Sequence, residues 1–346
     1  MNRQTGERTL LFEQAPYVIG AASIVAKAER EGPLGSSFDR VLEDDTFGED
    51  SFEKAECRMF ETAVRDACAG AGLDTFDLAA LLGGDLLNQI ITANYAARNL
   101  QIPFLGLYGA CSTMAESLLL GGVLADGGYR SPVACVACSH FSTAERQYRY
   151  PLEMGTTAAP TAQRTVTGAG CLLLSDRLLP DVRYRHIRVR SATIGKVIDL
   201  GIDDISNMGA AMAPAACDTI AQHLMDTGRA ASDFDRIVTG DLGTFGSEML
   251  LELAAQNGIE LEARHFDCGE KIYAPEQNYN CRGSGCGCSA VVLAGHLLPY
   301  LESGAWKRIL FLATGALMST TSNQQGETIP GIAHAIVLEH DGEVGL

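Results

Sequence analysis

Continuous apolar runs alternate with longer segments of helical periodicity along most of the chain. Runs such as 133–137 and 310–313 contain no polar residue, which is typical of strands buried on both faces. Such strands between helices predict an α/β protein whose sheet is covered on both sides. Helices are predicted at 51–71, 94–100, 112–125, 213–227, 247–256 and 289–301.

One stretch of the chain repeats at a constant offset of 177 residues. Segment 111–138 matches 288–315 without a gap, so that Cys111 falls on Cys288. Two further pairs, 81–86 with 237–242 and 168–174 with 331–337, keep the same order. The repetition predicts two pseudo-duplicated halves, 1–183 and 184–346, packed as one body. Segments 139–166 and 257–282 show little periodicity, and we expect them to be long loops that cover the functional site.

Charge and hydropathy narrow the range of functions. The chain has 346 residues and a net charge of −17, from 43 acidic and 26 basic side chains. A nucleic-acid surface needs clustered Lys and Arg, so this balance argues against nucleic-acid binding. No apolar run approaches the roughly 20 residues of a membrane-spanning helix. The first 14 residues are polar, and we expect neither a signal peptide nor a transmembrane segment.

Eleven cysteines are distributed along the chain. Without a secretion signal, they are expected to be reduced thiols rather than disulfides. Cys135 and Cys138 form a C-x-x-C motif, but they lie in a predicted strand, where residues three apart point to opposite faces. The pair is therefore expected to be two buried thiols rather than a metal site.

Cys111 lies where the strand that begins at Phe104 turns into a helix. A helix N-terminus presents unpaired N–H groups, which lower the pKa of a thiol and bind anions. A cysteine at this kind of turn is typical of an acyl-accepting nucleophile, and the alternative is a buried structural thiol.

A duplicated α/β body with a cysteine at this turn resembles the thiolase and β-ketoacyl synthase superfamily. The resemblance implies a five-layered αβαβα fold, in which the second half supplies a histidine, and a second residue that is histidine or asparagine, opposite the cysteine. The positions that match these residues hold Asp241 and Ser284. Neither can replace an imidazole in proton transfer near neutral pH, and an acid beside the cysteine would raise the pKa of its thiol.

Longer strings resemble the stage V sporulation protein AD family, a branch of that superfamily. They include Glu31-Gly-Pro-Leu-Gly, Gly84-Asp-Leu-Leu-Asn-Gln, Gly109-Ala-Cys-Ser-Thr, Thr143-Ala-Glu-Arg-Gln-Tyr, His265-Phe-Asp-Cys-Gly and Gly283-Ser-Gly-Cys-Gly-Cys-Ser. The resemblance implies binding of dipicolinic acid, as its calcium chelate, during import into the forespore. It also implies membrane-protein partners from the same system and a peripheral location at the inner membrane of the forespore or spore. No cofactor is expected.

Dipicolinate is a planar aromatic dianion, so its site should offer positive charge and helix N-termini. Calcium prefers oxygen ligands, so the site should offer these as well as basic groups. The candidates around Cys111 are Arg282, Lys271, His265 and His140 as basic or neutral groups, Ser284, and Asp241 and Asp267 as ligands of a ligand-borne calcium ion. The alternative interpretation of Asp267 is a solvated loop acid, and that of His140 is a hydrogen-bonded core imidazole.

Three other expectations concern a polar cluster, the oligomeric state and the competing functions. Residues Glu145, Arg146, Arg149 and Tyr150 form a cluster that fits a ligand lid, a dimer contact or a structural salt bridge. By analogy with the superfamily, a homodimer is expected through the strand at 131–138. The competing functions are an acyl-thioester condensing enzyme that uses Cys111 as its nucleophile, and a scaffold for membrane partners without a ligand.

Overall fold

The computed structural model describes residues 3–148 and 157–342. Arg149 and Tyr150 of the predicted cluster lie outside the described residues. The strands are β1 (Gln4–Thr5), β2 (Thr9–Leu11), β3 (Tyr17–Val25), β4 (Arg40–Val41), β5 (Ala80–Gly84), β6 (Phe104–Gly106), β7 (Val133–Ser139), β8 (Arg164–Thr165), β9 (Gly168–Ser175), β10 (Ile187–Thr193), β11 (Arg236–Thr239), β12 (His265–Asp267), β13 (Gly283–Ser284), β14 (Arg308–Ala316) and β15 (Gly331–His340). The helices are α1 (Lys27–Arg30), α2 (Phe52–Gly70), α3 (Ile91–Leu100), α4 (Thr113–Asp126), α5 (Phe141–Tyr148), α6 (Met208–Thr227), α7 (Gly243–Gln256), α8 (Cys268–Ile272), α9 (Cys286–Val292), α10 (Leu298–Glu302) and α11 (Thr320–Gln324).

The strand order repeats between the two parts of the chain. The order β6-β5-β7-β9-β3 is matched by β12-β11-β14-β15-β10. In each set the first three strands are parallel and the last two connections are antiparallel. The sets join where Tyr17 of β3 pairs with Arg188 of β10. The repeats seen in the sequence therefore occupy equivalent places in the sheet.

The protein has five layers, as the resemblance implied, and three clusters of buried apolar residues lie between them. Helices α2 and α3 cover the outer face of the first set of strands. Helices α6 and α7 cover the outer face of the second set. Helices α4 and α9 lie between the sets, and each contacts strands of both. The predicted five-layered αβαβα architecture is thus confirmed.

Several predicted helices differ from the observed ones, since α3 begins at Ile91 instead of 94 and α7 at Gly243 instead of 247. Helix α6 begins at Met208 instead of 213, because the Asn207 side chain accepts a hydrogen bond from the Ala210 amide at 3.3 Å and caps the helix. Pro214 lies inside this helix, although proline commonly marks a helix start. The helix predicted at 289–301 consists of α9, a π-helical turn at Leu293–Leu297 and α10.

The two segments predicted to be long loops, 139–166 and 257–282, contain regular secondary structure. Strand β12 forms one edge of the sheet and is followed directly by α8. It is three residues long, too short to produce a detectable period. In the described part of 139–166, α5 follows β7 and β8 pairs with β13.

The strand expected to form a dimer interface is not available for it. Every residue of β7 is buried, and the strand pairs with β5 on one side and β9 on the other. The expectation of dimerisation through 131–138 is therefore wrong. The strand at the opposite end of the sheet from β12 is β6, whose Leu105 side chain is 49% exposed.

All eleven cysteines are buried free thiols. Cys135 contacts the Ser117 carbonyl in the central layer, whereas Cys138 contacts Glu56 of α2 on the other face. The prediction that the two thiols point to opposite faces is confirmed. Among the described residues, we find no helix with the length and hydropathy needed to cross a membrane.

Candidate functional site

The turn between β6 and α4 places Cys111 at the start of the central layer. Ala110 adopts a left-handed conformation (φ 52°), which is uncommon for a residue with a Cβ and is typical of constrained sites. The Ser112 and Thr113 hydroxyls donate to the Gly109 and Ala110 carbonyls, each at 2.7 Å. These local bonds hold the turn closed, so the position of the thiol is fixed by the backbone.

The end of β14 approaches this turn closely because Gly315 has no side chain. A Cβ at Gly315 would lie 2.6 Å from the Gly109 carbonyl oxygen and 3.1 Å from the Ser112 nitrogen. Both distances are shorter than van der Waals contact. The second half of the chain thereby reaches the Cys111 turn.

A cavity of about 400 Å³ opens beside Cys111. Its described lining is mainly apolar, with several hydroxyl groups and one carboxylate, and contains no Lys, Arg or His. The lining residues are Leu86, Tyr108, Ala110, Cys111, Ala144, Glu145, Tyr148, Thr165, Met208, Ser284, Ala316, Leu317, Met318, Ser319 and Ser322. Such a cavity has the size and polarity of a small-molecule site.

Asp241 follows β11 and lies behind the Cys111 side of the cavity. Its carboxylate accepts hydrogen bonds from the Gly285 amide at 2.9 Å and the Thr314 hydroxyl at 2.7 Å. The Cys111 thiol donates to the same carboxylate. Burial raises the pKa of Asp241 to about 6, although these three hydrogen bonds oppose the rise.

The pairing with Asp241 keeps Cys111 protonated. Burial, and then the negative charge of Asp241, raise the pKa of the Cys111 thiol well above its ordinary value. Because the pKa of the thiol exceeds that of the carboxyl group, the proton stays on sulfur. The helix N-terminus was expected to lower this pKa, and desolvation together with the acid outweighs it. The sequence-based expectation that an acid beside the cysteine would raise the pKa of the thiol agrees with this result.

The structure brings together Cys111, Asp241 and Ser284 from the predicted set. Ser284 of β13 lines the cavity beside Thr165, its partner in β8. Gly285, next in sequence, bonds to Asp241. The register assigned from the sequence therefore places both second-half residues near the thiol.

The histidine candidates lie away from the cavity lining. His140 is fully buried, with Nε2 2.7 Å from the Asp45 carbonyl oxygen and Nδ1 accepting from the Ser142 amide at 3.1 Å. It is the core imidazole of the alternative interpretation, and burial lowers its pKa. His265 is half-buried on β12, with Nε2 2.8 Å from the Thr239 hydroxyl oxygen. Burial lowers the pKa of His265 to about 4.

Asp267, Arg282 and Lys271 also do not line the cavity. Asp267 is buried and accepts four hydrogen bonds from protein donors. Arg282 donates to the Ala274 carbonyl at 3.2 Å, and Lys271 pairs with the neighbouring Glu270 at 2.6 Å. The four hydrogen bonds to Asp267 use its acceptor sites, which argues against the expected calcium role for this residue, whereas the expected calcium role of Asp241 stays a prediction. The described residues contain no cluster of three or more His, Cys, Asp or Glu suited to a metal ion.

The predicted cluster around Glu145 divides between two environments. Glu145 lines the cavity and receives the Thr165 hydroxyl at 3.4 Å. Arg146 faces away and forms an ion pair with Glu53 of α2. The described part of the cluster therefore includes both a cavity residue and a structural salt bridge.

Several cavity residues have no signal in the sequence. Tyr148 of α5 donates to the Leu86 carbonyl, and its hydroxyl lies 3.4 Å from that of Tyr108. Met208 and Met318 come from distant segments of the second half. Only Tyr108, three residues before Cys111 on the same turn, could have been proposed from its position.

Two comparisons of sequence identify the family. Residues 6–339 match the family model described as Stage V sporulation protein AD (SpoVAD). The chain belongs to this family. A curated member, the stage V sporulation protein AD of Bacillus subtilis (strain 168), is 45% identical over 338 residues, which cover 98% of each chain. The protein is thus a member of a sporulation family on a thiolase-like scaffold.

Solved structures share the fold at low identity. The 3-oxoacyl-[acyl-carrier-protein] synthase III from Aquifex aeolicus VF5 is 13% identical with a TM-score of 0.55, covering 94% of this chain and 100% of that one. Xanthomonas campestris OleA with bound lauric acid and lauroyl-CoA is 16% identical with a TM-score of 0.60, covering 94% and 99%. At these identities the likeness shows the fold alone.

Proposed function

We propose that this protein binds dipicolinic acid, as its calcium chelate, in the cavity beside Cys111, and that it serves uptake of this ligand into the forespore. Membership of a sporulation protein family supports the setting. The cavity supports a small ligand, because about 400 Å³ lies within the usual range for such sites. Its apolar walls suit a planar ring, and its hydroxyl groups suit carboxylate oxygens.

The observation that carries the proposal is the pairing of Cys111 with Asp241. A condensing enzyme needs a thiolate and an imidazole that moves protons. Here the thiol is protonated against a carboxylate, and no described lining residue is a histidine. The cysteine therefore acts as part of the wall of a binding site.

Desolvation favours the chelate over the free acid. The described lining is mainly apolar. A free dianion would lose the hydration of two charges on entering such a cavity, which is costly. The nearly neutral calcium chelate avoids most of that cost.

Calorimetry with dipicolinate, with and without calcium, tests this proposal. We expect one-site binding that is stronger with calcium. Leu317→Trp should fill the cavity and weaken binding at least about tenfold, since the added ring occupies the ligand's volume. Phe76→Trp, at a position 80% exposed, is the matched control. Absence of binding by the wild type under both conditions contradicts the proposal.

Acyl transfer provides a separate test of the competing enzyme. A condensing enzyme would become acylated at Cys111 when incubated with acyl-CoA, and Cys111→Ala would abolish the adduct. We expect intact-mass spectra of the wild type to show no adduct. A Cys111-dependent adduct would establish the nucleophile and reject a purely binding role.

We further propose that the protein acts at the forespore membrane through membrane-protein partners of the same sporulation system. Family membership supports this placement, and the strongly negative net charge suits basic segments of a partner. Co-purification of these proteins from sporulating cells, with and without detergent, tests the association.

A further inference from the structure

Asp267 lies behind the cavity and is completely engaged. Oδ2 accepts from the Leu242 amide at 2.9 Å and the Thr239 hydroxyl at 2.7 Å. Oδ1 accepts from the Gly243 amide at 2.9 Å and the Glu270 amide at 2.7 Å. A carboxylate has about four acceptor sites, so none remains for a ligand.

Two of these hydrogen bonds come from the amides of Leu242 and Gly243, the residues that directly follow Asp241. Gly243 is left-handed (φ 65°), and a Cβ there would lie 2.2 Å from the Cys281 carbonyl oxygen. The turn is therefore tight and depends on its hydrogen bonds for its shape. From its other side, the Gln163 amide group donates to the Asp241 carbonyl at 2.8 Å.

A chain of hydrogen bonds continues from Asp267 to the surface. The Thr239 hydroxyl donates to Asp267, so its oxygen accepts from Nε2 of His265. His265 is half-buried at the edge strand β12. Two residues that the sequence suggested as ligand contacts thus form one unit behind the Asp241 turn.

We propose that Asp267 is a positioning residue for the cavity: it fixes the Leu242–Gly243 turn from which the Asp241 carboxylate reaches Cys111, and Thr239 and His265 brace it. Asp267→Asn keeps the shape of the side chain but leaves one acceptor oxygen for four donors. The turn then loses half of its anchoring, and Asp241 moves away from the thiol. For ligand binding alone, this inference rests on the proposed function.

The alkylation rate of the Cys111 thiol depends on the position of Asp241, and it can be measured without any ligand. Burial, and then the Asp241 charge, raise the pKa of this thiol, so moving the carboxylate away removes part of the rise and speeds alkylation. We expect Asp241→Asn and Asp267→Asn each to raise the rate of Cys111 alkylation by iodoacetamide at pH 8 about tenfold or more. Peptide mass spectrometry separates Cys111 from Cys135 and Cys171, which are fully buried and should stay unlabelled.

Asp226→Asn is the matched control. The Asp226 carboxylate also accepts four hydrogen bonds, two of them from the Glu7 and Arg8 amides, but in another part of the fold. We expect Asp226→Asn to leave the rate of Cys111 alkylation within about twofold of the wild-type rate. Thr239→Val removes one of the four donors and should raise the rate less than Asp267→Asn, whereas Thr239→Ser should restore it.

Two results would overturn the inference. One is a rise in Asp241→Asn with no rise in Asp267→Asn. The other is equal labelling of Cys111, Cys135 and Cys171 in Asp267→Asn and Thr239→Val, which indicates lost packing rather than a displaced carboxylate. Calcium dipicolinate affinity, measured in parallel, should fall with Asp267→Asn and not with Asp226→Asn. If the wild type binds no dipicolinate, the proposed function fails while the alkylation results still decide the role of Asp267.

Discussion

The Cys111 thiol donates its hydrogen bond to the Asp241 carboxylate, and Gly285 and Thr314 hold that carboxylate in place. The turn has the geometry of a nucleophile site, yet its partner is an acid. Because the contact joins the two halves of the chain, changes on either side should affect the same cavity.

The buried Asp241 should make the protein less stable as pH rises. Burial raises the pKa of Asp241 to about 6 from an ordinary 3.8, so its stabilising contribution is full below pH 3.8 and is lost as pH rises through 6. At roughly 1.4 kcal/mol per pKa unit, the loss is about 3 kcal/mol. Urea unfolding between pH 4 and 6.5 should show a flatter stability profile for Asp241→Asn than for the wild type.

Asp226→Asn serves as the control for that profile. Burial acts to raise the pKa of Asp226, but hydrogen bonds from the Glu7 and Arg8 amides outweigh it and lower the pKa to about 2. Its contribution is therefore lost only below pH 3.8. Equal flattening by both variants would show that the effect does not come from Asp241.

Glu56 and Asp85 should respond differently to neutralisation. Burial, and then the charge of Asp85, raise the pKa of Glu56 well above its usual value, so Glu56 keeps its proton to a higher pH than an exposed glutamate does. Burial raises the pKa of Asp85 to about 6, which leaves it ionised, and it accepts the Leu87 and Ala93 amides at 2.7 Å. We expect Glu56→Gln to change the free energy of unfolding by under about 1 kcal/mol and Asp85→Asn to cost about 1–3 kcal/mol. Denaturation at pH 7.5 checks both, and a larger cost for Glu56→Gln would contradict the assignment.

Gly315→Ala should damage the cavity through the backbone. The added methyl group would press on Gly109 and Ser112, and overpacking of this kind costs about 1–3 kcal/mol. We also expect weaker ligand binding, since the Cys111 turn must shift. Gly70→Ala is the control, because a Cβ at this helical position meets no atom within 4 Å and should stabilise by about 0.5–1 kcal/mol. Unchanged calorimetric affinity of Gly315→Ala would show that β14 does not set the cavity.

A second copy of the chain is expected at the β6 edge. Strand β6 ends the sheet, and Leu105 and Tyr108 beside it are 49% and 50% exposed. An exposed apolar edge strand is a template for pairing with another chain. Light scattering after size exclusion should give a dimer for the wild type and a monomer for Leu105→Asp. Val41→Asp, 38% exposed on β4, should keep the mass of the wild type, and a monomeric wild type would refute the dimer.

Much of the fold followed from the sequence because its elements are long and repeated. The 177-residue offset aligned β7 with β14 and α4 with the helical segment from α9 to α10, since a duplicated core keeps its spacing. Strand β12 was missed because its three residues carry no period. The dimer strand was misplaced because sequence alone does not say which buried strand lies at an edge.

The site was predictable only where a residue adjoins a motif. Cys111 and Asp241 follow predicted strand ends, and Ser284 lies in the Gly-rich turn just before the repeated segment at 288. Asp267 and His265 were assigned to the pocket by residue type, and their hydrogen bonds place them behind it. Met208 and Tyr148 arrive through tertiary packing, which leaves no local pattern.

The shared central layer also bears on the origin of the fold. Helix α4 comes from the first half of the chain and α9 from the second, yet each packs on strands of both. Either half alone would expose an apolar helix that the other half covers. This interlocking is the arrangement expected of a symmetric pair of identical ancestors whose genes later fused into one chain.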